Sequence, residues 1–143
     1  MIISSANTAN YTLQLSHASH NPADGATYYF GGVPSSIPGS TDGNFRIYIP
    51  KTGTIKAVYG NYRIATTNGT TENSTLSVRV NSTTSTTISS TVQFTTTVGS
   101  YNNAALSIPV VAGDFIEIVW LCPTWATNPV AVFNNCVVYI ETT

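Results

Sequence analysis

Residues 88–98 alternate with period two, and that alternation constrains the fold more than any other feature. Ile88, Val92, Phe94 and Val98 share one face, with Ser90 and Thr96 between them. Ser89, Thr91, Gln93, Thr95 and Thr97 make a wholly polar second face. Successive side chains of a strand point to opposite sides, whereas a helix buries every third or fourth residue. The segment therefore reads as a half-buried strand with a solvent side. "FRIYIP" repeats the pattern, with Phe45, Ile47 and Ile49 inside and Arg46 and Tyr48 outside. "TLSVRV" places Leu76, Val78 and Val80 inside, and "AALSIPV" does so for Ala104, Leu106, Ile108 and Val110. Pro109 donates no hydrogen bond, so that segment is an edge or ends there. A longer strand runs through 54–65, interrupted at Gly60-Asn61 by a bulge or bend. Further strands are read at 11–15, 27–31, 115–121 and 136–141. The separators are turn chemistry, among them "NPADG", "KTG", "TNGTTENS", "GSYNN", "VAGD" and "PTWATNP". No helical period or second domain is visible. The expectation is an all-β antiparallel β-sandwich of the jelly-roll type with eight or nine strands over residues 13–143, preceded by an N-terminal arm over 1–12.

Composition narrows the function. Charged residues are 8% of the chain, against roughly 25% in ordinary soluble domains. Ser, Thr and Asn take their place, so the surface is made of hydroxyls and amides, which desolvate more cheaply than charges. Five basic residues spread along a chain of net charge −1 argue against nucleic acid and against an anionic membrane. No apolar run approaches the ~20 residues of a membrane helix. The start "MIISSANTANYTLQL" lacks a basic region followed by an apolar core, so export by a signal peptide is not expected; virion assembly and lysis is another route out of a cell. Cys122 and Cys136 are the only cysteines. They are read as reduced, semi-buried thiols, with a disulfide across a hairpin near Pro129 as the alternative.

Two strands are apolar on both faces. In 115–121, Ile116, Ile118 and Trp120 oppose Phe115, Val119 and Leu121, with Glu117 the one charge. In the last strand Val138 and Ile140 oppose Val137 and Tyr139. One face of each belongs to the core. The other needs a cover, from a loop or from a second copy of the chain, and the second is the expectation. Phe115, Val119, Leu121, Val137 and Tyr139 are thus the candidate oligomer interface, and an Asp at Val119 or Tyr139 is expected to split it.

The arrangement "IPVVAGDFIEIVW … NNCVVYIE" resembles the C-terminal half of trimeric jelly-rolls of the tumour-necrosis-factor and complement-globular-head kind. Residues 42–141 are also similar to small phage-borne domains with "AGD-x-I-E-I … P-T-W-A-T-N-P" near their C-terminus; the matching positions are Gly113-Asp114, Ile116, Glu117, Ile118, Trp120 and Pro123–Pro129. Cys122 departs from that pattern. The resemblance implies a homotrimer exposed on a virion. With no fibre shaft in the sequence, it implies a capsid decoration (cement) protein on the head exterior, made in the host cytoplasm and partnered by the major capsid protein. An arm carrying Met1, Ile2 and Ile3 would order on that shell. The alternative implied by the same likeness is the receptor- or glycan-binding tip of a tail or head fibre.

Other sites are weighed residue by residue. His17, His20 and Asp24 would be a metal set, but their spacing is that of helical motifs in a segment that reads as strand end and turn, so no metal and no cofactor is expected. Catalysis finds no Gly-x-Ser-x-Gly elbow, no phosphate loop and no visible carboxylate pair, and no enzyme is expected. Aromatic faces beside amides and hydroxyls suit sugars, so Tyr101, Asn102, Asn103, Trp125 and Asn128 form a candidate ligand loop for a host surface glycan. The competing reading makes Trp125 a buried plug. Sequons at Asn10, Asn68, Asn73 and Asn81 are what a chain so rich in Asn and Thr contains by chance.

Overall fold

The computed structural model describes residues 9–34, 36–41 and 45–143. They form ten strands and no helix: β1 (Tyr11–Ser16), β2 (Thr27–Phe30), β3 (Ile47–Tyr48), β4 (Gly53–Thr67), β5 (Ser74–Val80), β6 (Thr84–Val92), β7 (Val98–Asn103), β8 (Ile108–Val110), β9 (Phe115–Leu121) and β10 (Val130–Thr142). Sheet A has the order β1-β10-β4-β7, with β8 also on β4; sheet B has the order β2-β9-β5-β6, with β3 also on β9. Every ladder is antiparallel. β2 and β3 lie end to end along β9, and β7 and β8 lie end to end along β4. Ten strands therefore make eight lanes, in the crossed order of a jelly-roll.

The inner faces close around Trp120, which is fully buried. The rings of Phe94, Tyr28 and His17 lie 5.3, 5.7 and 5.8 Å from it, and its indole N–H donates to Ser74 Oγ at 3.3 Å. Leu76, Val78 and Val80, and Leu106, Ile108 and Val110, are buried as their alternation requires. β8 pairs with β4 alone, which leaves Pro109 on an edge. Gly113 takes φ +94°, and Asp114 closes the turn before β9 by accepting from Val111 N–H at 2.9 Å and from Asn81 Nδ2 at 2.8 Å.

Several sequence expectations need correction. The alternation of 88–98 spans two strands in different sheets. β6 stops at Val92, Phe94 continues into the core, and Val98 opens β7 with 62% of its surface exposed. Tyr62 pins the corner, donating to Gln93 O at 2.7 Å. Ala104 is exposed beyond β7. β10 begins six residues before Cys136. Tyr11 and Thr12 belong to β1, paired with Ile140 and Tyr139, so an arm of 1–12 would end inside a strand. Met1, Ile2 and Ile3 lie outside the described residues.

Gly60-Asn61 does not interrupt β4, which runs unbroken for 15 residues. Gly60 stands opposite Tyr101, and Tyr62 stands opposite Gly99. A Cβ on Gly60 would sit 2.2 Å from Tyr101 Cε2, and one on Gly99 would sit 2.3 Å from Tyr62 Cε1. Each tyrosine ring thus lies on the bare backbone of the glycine across from it. Both cysteines are free and buried. Cys136 faces the core from sheet A, whereas the Cys122 backbone bonds Ala26 beside sheet B.

The cover for the second apolar face of β9 comes, at its centre, from the chain itself. Val119 is 7% exposed and Glu117 fully buried. Val119 stands between Tyr29 and Ser77, and Glu117 opposite Arg79. The Arg79 guanidinium reaches to 5.6 Å from the Tyr29 ring, two strands away, and Arg46 lies 3.9 Å over the Phe115 ring. The alkyl stems of long cationic side chains cover apolar surface while the head stays polar. An Asp at Val119 would therefore disrupt the monomer and not report on an interface. Leu121 remains 45% exposed.

Candidate functional site: the outer face of sheet A

The outward residues of sheet A form rows across the strands. Ser16 pairs with Asn135, Asn135 with Asn61, and Asn61 with Ser100. The next row is Gln14, Val137, Tyr59 and Asn102. On the other side of the first row come Phe133, Arg63 and Val98. β10 places Phe133, Asn135, Val137 and Tyr139 outward because Val132, Asn134, Cys136, Val138 and Ile140 fill the core with the opposite phase.

Amides are linked along this face. Gln14 Nε2 donates to Asn135 Oδ1 at 2.7 Å, and Asn135 Nδ2 donates to Asn61 Oδ1 at 3.4 Å. The Arg63 guanidinium lies 5.5 Å from the Phe133 ring centroid. A shallow depression of about 230 Å³ is lined by Gln14, Ser16, Asn61, Arg63, Phe133 and Asn135, with His17 and Asn134 below. A second, of about 460 Å³, lies between Lys56, Tyr59, Leu106, Tyr139 and Glu141.

Beneath the first depression runs a buried polar chain. Cys136 Sγ and the Tyr101 hydroxyl are 3.1 Å apart, Tyr101 OH donates to Asn134 Oδ1 at 3.3 Å, and Asn134 Nδ2 lies 2.9 Å from His17 Nε2. His17 Nδ1 is 2.6 Å from Ala18 O. A neutral imidazole with its proton on Nδ1 satisfies both contacts. Burial pushes the Cys136 thiol up to about 12 and the Tyr101 hydroxyl well above its usual range. This network holds β1, β7 and β10 in register under the amide rows.

The residues proposed as a ligand loop do not converge. Tyr101 is buried in the polar chain and Asn102 points outward from β7. Trp125 is 4% exposed, a plug whose backbone N–H donates to Asp24 Oδ1 at 3.1 Å. Asn128 Nδ2 donates to Pro22 O at 3.0 Å. His17 faces the core, His20 packs edge-on to Tyr28 at 4.5 Å, and Asp24 clasps Trp125. Among the described residues no group of three His, Cys, Asp or Glu is placed to hold a metal ion. Of the interface candidates, Val137 and Tyr139 are half-buried on sheet A, and Phe115, Val119 and Leu121 lie on the outer side of sheet B. The amide rows escaped sequence reading because their members lie up to 121 residues apart and meet only through strand register.

No family model and no curated protein matches the chain. Among solved structures it is similar to FlhE, with 12% identity over 92% of this chain and 97% of that one and a TM-score of 0.53. It is also similar to part of the Arthrobacter globiformis T6 isomalto-dextranase solved with panose, with 17% identity over 90% of this chain and 23% of that one, at a TM-score of 0.35. The likeness to FlhE shows the fold, a β-sandwich, and the second likeness is too distant to carry an argument.

Proposed function

We propose that this chain is a non-catalytic binding domain displayed on a virion surface, and that it engages a saccharide through the outer face of sheet A. The observation that carries this reading is the hydrogen-bonded amide chain Gln14–Asn135–Asn61 set beside Phe133 and Arg63. Amides offer donor and acceptor together, as vicinal hydroxyls do, and an aromatic face suits the apolar side of a pyranose. The virion setting rests on the phage-domain resemblance of residues 42–141. A glycan array probed with the labelled domain tests the reading. Binding weakened by Asn135→Ala and Phe133→Ala but not by Thr86→Ala supports it, and a blank array with no adsorption to host cells overturns it.

A second reading, a homotrimeric capsid decoration protein that clamps neighbouring major capsid subunits, is favoured by a different observation. Tyr59 and Val98 are 53% and 62% exposed on the face that also carries Val137 and Tyr139. Apolar groups gathered there suit a contact with another copy. The self-covered centre of β9 weighs against a trimer through Phe115 and Val119. Hundreds of copies per purified particle, with loss of the trimer in Tyr139→Asp by light scattering, would favour this reading over the first.

A further inference from the structure

We propose that the depression at the Phe133 end of sheet A takes the terminal residue of an acidic saccharide, a uronic or sialic acid, with Arg63 anchoring its carboxylate and Phe133 supporting its ring. The inference rests on the saccharide reading above and gives that ligand its charge. Among the described residues Arg63 is the one charged side chain lining the depression. It projects from the centre of β4 with solvent above it, and its contact with Phe133 is face-to-cation at 5.5 Å. Among the described residues no carboxylate stands against it. Glu141, the acidic residue on the same face of β10, is eight residues from Phe133, or about 27 Å along an extended strand. The planar fork of a guanidinium matches a carboxylate with two parallel hydrogen bonds, and a ring beneath it keeps the fork oriented.

The neighbouring row completes the fit for a sugar. Asn61 and Arg63 are two apart on β4, so their outward side chains rise about 7 Å from one another. The Asn61 amide accepts from Asn135 and keeps its own N–H donors for a ligand. A carboxylate on Arg63 thus places ring hydroxyls over Asn61 and Asn135. The space, about 230 Å³, lies below the roughly 300 Å³ at which sites for larger ligands begin, which suits one chain-terminal residue.

Nuclear magnetic resonance titration of the isotope-labelled chain tests this, with glucuronic acid, N-acetylneuraminic acid, glucose and acetate as probes. The expected result is shifts at Asn61, Arg63, Phe133 and Asn135 with at least one acidic sugar, about tenfold tighter than with glucose or acetate, the size of one charge-assisted hydrogen bond. Arg63→Gln should erase that preference and Arg63→Lys should keep part of it, while spectral dispersion confirms that both fold. Equal affinity for glucose and the acidic sugars overturns the carboxylate anchor and leaves the saccharide reading standing. Acetate as tight as the acidic sugars overturns the sugar and leaves a bare anion site. No shift on this face with any sugar overturns both.

Discussion

Acidification should weaken this fold through one imidazole. His17 is 4% exposed, stacked on Trp120 and edge-on to Phe30 at 4.8 Å. Its two nitrogens are committed to the neutral form, Nε2 accepting from Asn134 and Nδ1 donating to Ala18 O. Protonating Nε2 would turn it against an amide N–H. Burial is the main cause that lowers its pKa from 6.5 to about 4; the Ala18 carbonyl opposes this and the nearby His20 adds to it. Below pH 6.5 the unfolded chain binds a proton that the folded chain refuses, so stability falls as pH falls, down to about pH 4. At ~1.4 kcal/mol per pH unit the loss reaches about 3 kcal/mol by pH 4 and roughly 2.5 kcal/mol by pH 4.5. That is a large share of a typical stability of 5–15 kcal/mol. The assay is urea unfolding followed by tryptophan fluorescence between pH 7 and 4.5, where imidazoles dominate the titration; hydrogen bonds to Asn81 and Thr70 lower the carboxyls of Asp114 and Glu72 respectively, so their own loss of stability begins only at the acid end of the window. The midpoint should fall by roughly 1–2 M. His17→Gln should be less stable at pH 7 yet much flatter across the window, with half-buried His20, also lowered by burial, still contributing. A wild-type midpoint that does not move, or a variant as steep as the wild type, would refute the reasoning.

Three further outcomes are expected. Gly60→Ala forces a methyl into the Tyr101 ring and should cost about 1–3 kcal/mol or more, read as a lowered melting temperature; Ala at exposed Thr87 should be within about 0.5 kcal/mol of wild type. Tyr101→Phe leaves the buried Asn134 carbonyl without its donor and should cost about 1–3 kcal/mol, while Tyr48→Phe, at a 60% exposed site, should be silent in the same unfolding assay. Cys122 and Cys136 are buried and burial raises both thiols, so iodoacetamide at pH 8 should label neither until denaturant is added; rapid native labelling of Cys136 would show that β10 opens locally.

What the sequence made legible was local. Alternation placed Leu76, Val78 and Val80 in the core, Pro109 on an edge and Asp114 at the start of β9, because each depends on neighbours within a few residues. It failed where the cause is distant. Thr95, Thr96 and Thr97 read equally as a continuing strand or as a corner, so alternation alone carries Val98 onto the core face. Gly60 looks like a break until Tyr101 is seen opposite it. The second face of β9 looked bare because the side chain that roofs it, Arg79, comes from β5. The amide face stays hidden for the same reason: Gln14, Asn135 and Asn61 become neighbours only after three strands have paired.

The reciprocal pairs Gly60–Tyr101 and Tyr62–Gly99 also work as a key. A strand can slip by two residues and keep its inner and outer faces, so hydrophobic patterning alone does not fix where β7 sits on β4. Slipping one way sets Tyr62 against Tyr101, two rings where there is room for one. Slipping the other way sets Gly60 against Gly99 and leaves both rings without a seat. The β4–β7 ladder of sheet A therefore has one acceptable alignment, and it is the alignment that brings Ser100 beside Asn61 and Asn102 beside Tyr59. Two residues with no side chain, invisible from outside, thus decide which groups the protein shows to the world.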